Sequence, residues 1–112
     1  MDLEELKQEL RVTPEEIYKV EKKETTALLN WNKYKALHEK EISFEIVTCE
    51  GNNATEKKAK AILADNVINA RRNAIESEAK YKLSRANRKR LERKFEALRS
   101  ILSLQRELIN KS

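Results

Sequence analysis

The chain has 112 residues, 38% of them charged and 39% apolar, with one Gly, one Pro and a net charge of +5. Such a composition excludes a sandwich or barrel, which needs turn residues roughly every 8 to 12 positions. Gly51-Asn52-Asn53 is the one obvious turn cluster, and it separates two long stretches of good helix formers. Two long helical segments are the expectation.

Charge is unevenly spread. Residues 1 to 50 carry 8 Lys/Arg against 12 Asp/Glu, a net of −4, and residues 51 to 112 carry 16 against 7, a net of +9. This asymmetry points to two different surfaces, the second suited to an anionic polymer. Cys49 is alone and reads as a small half-buried apolar residue, and no Cys/His grouping has zinc-site spacing. No apolar run approaches a membrane span, and Met1-Asp2-Leu3-Glu4-Glu5 lacks the basic and apolar regions of a signal peptide. A cytoplasmic protein of a bacterium or a phage-infected host cell is expected.

In chain order, residues 1 to 11 read as a short acidic amphipathic helix with Leu3, Leu6 and Leu10 on one face. Thr13-Pro14-Glu15-Glu16 reads as the start of a second helix: Thr13 caps, Pro14 suits the first helical position, and Glu16 completes a capping box. From there a helix over 14 to 48 places Ile17, Val20, Ala27, Trp31 and Tyr34 on one stripe, flanked by Leu28, Leu37 and Ile42. Trp31 and Tyr34 read as packing anchors, with base stacking as the functional alternative. Ile42 to Val47 alternates as a strand does but has no partner strand, and is expected to be helical.

After the turn, Asn53 or Thr55 caps a helix over 54 to 110, about 80 Å long. Steps of four and three from Leu63 meet Val67, Ala70, Ala74, Ser77, Tyr81, Ser84, Arg88, Leu91, Phe95, Leu98, Leu102, Gln105 and Ile109. Ten of these fourteen positions are apolar, so the helix should pack along its length. A second stripe, Ala61, Ala64, Ile68, Ile75, Ala79, Leu83 and Ala86, lies on another face. The expected fold is therefore all-α: an elongated antiparallel helical hairpin, preceded by a short helix, in a single domain. One hairpin partner cannot cover both stripes, so a homo-oligomer is expected.

No catalytic constellation is present. His38 is the only histidine, and there is no phosphate loop or nucleophile elbow; no cofactor or metal is expected. What carries chemistry is a basic tract. Arg71, Arg72, Lys80, Lys82, Arg85, Arg88, Lys89, Arg90, Arg93 and Lys94 stand against only Glu76, Glu78 and Glu92. Cations spaced along a helix bind a nucleic-acid backbone by releasing counterions; the competing reading is a solvated face that only confers solubility. Arg88 interrupts the apolar seam, as residues that set register or face a ligand do.

Leu3-Glu4-Glu5-Leu6-Lys7-Gln8-Glu9-Leu10, Trp31-Asn32-Lys33-Tyr34-Lys35, Glu78-Ala79-Lys80-Tyr81-Lys82-Leu83 and Phe95-Glu96-Ala97-Leu98-Arg99 together resemble UvsY-type bacteriophage recombination mediators and related small helical phage proteins. The resemblance implies a homo-oligomer that binds single-stranded DNA and helps a recombinase or annealing protein load where a single-strand-binding protein sits. The acidic N-terminal helix would then dock on a basic partner surface. One departure matters: where that family has a basic cluster after its aromatic helix, Ile42 to Glu50 is acidic and apolar here, so the role moves to the tract from Arg71 to Lys94. The alternative is a purely structural coiled-coil adaptor or phage scaffolding protein.

Overall fold

The computed structural model describes residues 1 to 111, which form three helices: α1 (Leu3–Thr48), α2 (Ala54–Ile62) and α3 (Asp65–Lys111). The all-helical class is as expected, and the described residues include no strand. Ile42 to Val47 lies within α1. The chain makes two compact units, one from Met1–Glu24 with α3 from Leu83 onward, the other from Thr25–Lys82.

α1 corrects the first expectation. No break occurs at Thr13-Pro14, and the segments expected as 1 to 11 and 14 to 48 are one helix with Pro14 inside it. Thr13 is not a cap; it is fully buried, and its hydroxyl donates to the Glu9 carbonyl at 2.6 Å, one turn back. An internal proline removes one helical hydrogen bond and costs about 3 kcal/mol. Packing offsets this. The alternate step of three and four from Leu3 through Leu6, Leu10, Thr13, Ile17 and Val20 to Glu24 meets only buried or half-buried positions. Burial of Leu6 alone is worth roughly 1.5–3 kcal/mol, and a break at Thr13 would rotate it off that face.

The second expected helix is also corrected, because 54 to 110 is interrupted at Leu63-Ala64. Asn53 caps α2 as expected: its side-chain oxygen accepts from the Glu56 backbone N–H at 2.8 Å, while the Glu56 carboxylate accepts from the Asn52 N–H at 3.1 Å. At the other end the Leu63 and Ala64 N–H groups donate three residues back, to Lys60 and Ala61. Such bonds tighten the chain to three residues per turn. Ala61, Ala64 and Val67, spaced by threes, can then stay on the inner side, while Leu63, expected in the seam, is 74% exposed. Gly51 is needed for room and not for a left-handed conformation: a Cβ there would lie 2.9 Å from Lys57 Cγ and 3.3 Å from its backbone nitrogen.

Within the first unit, Glu9 meets Lys94 and Glu24 meets Arg88, so α1 and α3 run antiparallel. Its buried residues are Leu6, Thr13, Leu91 and Leu98. Within the second unit, Trp31 stacks on Tyr81 with ring centroids 5.5 Å apart, and Glu41 meets Asn66, again antiparallel. Here the buried residues are the small Ala61, Val67, Ala74 and Ser77, which leave space for the half-buried aromatics Trp31, Tyr34 and Tyr81. From Val67 to Gln105 every seam position of α3, including Phe95 and Leu102, is buried or half-buried; Ile109 is exposed.

Candidate nucleic-acid interface

All ten residues of the basic tract lie on α3, with Arg71, Arg72, Lys80 and Lys82 in the second unit and the remaining six in the first. Three of them are engaged within the protein. Arg88 forms a hydrogen-bonded ion pair with Glu24 through Nε, reaches the same carboxylate through its second terminal nitrogen at 3.3 Å, and donates to Glu92 at 3.0 Å. The hydrogen bond to Glu24, and after it that to Glu92, raises the pKa of the guanidinium. Lys94 pairs with Glu9 at 2.9 Å and Lys82 with Glu78 at 2.8 Å. Arg88 is therefore a register-setting pair in the helical seam, and Arg88 and Lys94 are half-buried.

The other seven, Arg71, Arg72, Lys80, Arg85, Lys89, Arg90 and Arg93, are exposed and have no ion-pair partner among the described residues. Arg85, Lys89 and Arg93 follow one another at intervals of four, which sets them on one face with a rise of about 6 Å per step. Nearby acids do not balance them. Glu92 bonds Arg88, and Glu96 bonds Arg99 at 3.4 Å. Like charges at i,i+4 destabilise a helix by roughly 0.2–0.5 kcal/mol per pair. A face needed only for solubility is better served by mixed signs, whereas the row Arg85, Lys89 and Arg93 carries one sign.

Two further features are not expected from the sequence, although Tyr34, Leu37 and Ala70 of the second read there as packing residues. On the last turns of α3, Ala97, Ile101, Leu104 and Leu108 form an exposed stripe in the first unit. Its spacing was legible, but the longer seam through Leu98 and Leu102 drew attention away from it. In the second unit, Tyr34, Leu37, Glu41, Asn66, Asn69, Ala70 and Asn73 line a groove. Three asparagines on one helical face were the available signal, since Asn is a poor interior helix residue.

Among the described residues no group of three or more His, Cys, Asp or Glu side chains is placed to hold a metal ion. None of the helices is long and apolar enough to cross a membrane. Cys49 is half-buried, with its thiol 3.4 Å from the Lys57 carbonyl. No protein-family model, curated protein or solved structure matches the chain.

Proposed function

We propose that the chain is a non-catalytic accessory protein that binds single-stranded nucleic acid through the phosphate backbone, as a homo-oligomer, in the cytoplasm of a bacterium or a phage-infected cell. The observation that carries this reading is the set of seven unpaired cations, above all the row Arg85, Lys89 and Arg93. Backbone contacts hold a strand without reading its sequence, and several copies of the row multiply the released counterions. The acidic residues Glu4, Glu5 and Glu15 are exposed on α1 and would meet a basic surface of a recombinase or single-strand-binding protein. That is the loading role implied by the resemblance to UvsY-type mediators. No cofactor enters this function.

The test is titration of a labelled strand of about 40 nucleotides at rising salt. Neutralising about three phosphates per subunit predicts a loss of roughly tenfold or more in affinity between about 50 and 200 mM salt. Charge reversal at Arg85, Lys89 and Arg93 should abolish binding with helicity unchanged. The exposed stripe at Ile101, Leu104 and Leu108 favours a second reading, a structural adaptor that only associates. Absence of binding at low salt by wild-type protein would replace the first reading with the second.

A further inference from the structure

The groove of the second unit has a chemistry of its own. It is an open groove of about 360 Å³ lined by Tyr34, Leu37 and Glu41 of α1 and by Asn66, Asn69, Ala70 and Asn73 of α3. Asn66 Nδ2 donates to Glu41 Oε2 at 2.6 Å. That bond orients the Asn66 amide: one of its two N–H donors is used, and its oxygen remains as an acceptor together with the other Glu41 oxygen. Asn69 and Asn73 are exposed, and their carboxamides have no partner among the described residues. Each therefore still offers both donor and acceptor.

Three asparagines at i, i+3 and i+7 are an unfavourable choice for a helix interior, where Lys, Glu or Gln would favour the helix more. An apolar lining beside Asn69 and Asn73, which offer donor and acceptor together, and Glu41, which only accepts, suits a flat heterocycle that carries an exocyclic amine next to a ring acceptor. Adenine fits this directly, because an asparagine carboxamide accepts from its N6 amine while donating to its N7. Thymine has no exocyclic amine to offer Glu41 or Asn66. Lys80 lies two turns beyond Asn73 on the same face of α3 and is unpaired, a cation for the adjoining phosphate.

We propose that this groove seats amine-bearing bases of the single strand, adenine foremost, and so adds a preference for base composition to the backbone binding proposed above, on which it rests. The strand's unstacked bases supply the edges that the groove reads.

The experiment compares oligo-dA and oligo-dT of about 20 nucleotides on wild-type protein and on Asn69→Ala with Asn73→Ala, at one salt concentration in the range where binding responds to salt. Wild type should favour oligo-dA on the order of tenfold. The double variant should lose that preference and retain its affinity for oligo-dT. Alanine on an exposed helix face favours folding, and circular dichroism of the variant checks that its helicity is kept. Equal affinity of wild type for both strands overturns the groove proposal and leaves the backbone reading standing. If neither strand binds, the backbone reading fails, and side-chain amide NMR shifts of Asn69 and Asn73 with adenosine monophosphate decide the groove alone. Shifts with adenosine but not thymidine monophosphate uphold it, and none overturns it. A change in sedimentation of the double variant without a change in base preference assigns the groove to a protein surface and also overturns it.

Discussion

Glu24 and Arg88 meet within the first unit with side chains only 15% and 24% exposed, a carboxylate of the α1 seam against a guanidinium of the α3 seam. Each is the one charged residue in its stretch of the seam, so the pair fixes which turn of α1 lies against which turn of α3. Removing Arg88 strands Glu24 where water reaches it poorly, and removing Glu24 leaves Arg88 with Glu92 alone. Glu24→Ala and Arg88→Ala should each lower the melting temperature, and Glu24→Leu combined with Arg88→Leu should recover it. Thermal unfolding followed by circular dichroism checks this; single variants as stable as wild type would show that the pair contributes nothing.

Pro14 gives a prediction of opposite sign. It is exposed, and its ring removes a helical hydrogen bond inside α1, about three turns from the helix start. Pro14→Ala should stabilise the protein by up to about 3 kcal/mol, measured by urea unfolding. If Pro14 began a helix, the same change would be close to neutral or destabilising.

The start of α2 responds to acid. The Asn52 backbone N–H, and then Lys60, lower the pKa of the Glu56 carboxyl below its ordinary value of 4.5. A lowered carboxylate pKa stabilises the folded state above the ordinary value, and this contribution is lost as pH falls through the lowered one. Amide exchange at Asn52 and Glu56 should therefore be unchanged from neutrality down to about pH 4.5 once corrected for the intrinsic rate, and protection should fall below it. Glu56→Gln should remove the pH dependence.

The sequence disclosed the helical class and the α3 seam because the three-and-four step persists from Val67 to Gln105 in residues whose burial follows it. It misled at Thr13-Pro14, where a valid local capping signal competed with a longer one: the register of Leu3, Leu6 and Leu10 continues in phase to Ile17 and Val20. Long-range packing wins there because the whole face would turn away if the helix stopped. The break at Leu63-Ala64 has no Gly or Pro to announce it and follows from small residues spaced by threes. As for the basic tract, its ten residues and the spacing of four between Glu78 and Lys82 were legible, but the commitment of Arg88 and Lys94 to Glu24 and Glu9 was not. Those partners are distant in sequence and become neighbours only once the helices are paired.

The last prediction concerns association. Ala97, Ile101, Leu104 and Leu108 step by four, three and four, a spacing that reads the same from either end. A two-fold axis crossing α3 between Ile101 and Leu104 therefore brings Ala97 against Leu108 of a second copy and Ile101 against Leu104, so all four side chains find apolar partners. Their exposure in one chain is large, 43% for Ile101, 61% for Leu104 and 69% for Leu108, which leaves substantial apolar area to bury. Sedimentation should show concentration-dependent association of wild-type protein. Leu104→Asp with Leu108→Asp should shift it to monomer at unchanged helicity, because these residues lie outside the core of the first unit. Leu98→Ala acts differently: Leu98 belongs to that core, and its truncation should cost about 2–5 kcal/mol of stability at any protein concentration. Wild-type protein that sediments as a folded monomer at micromolar concentration would refute self-association, and leave the stripe as a surface for a different chain.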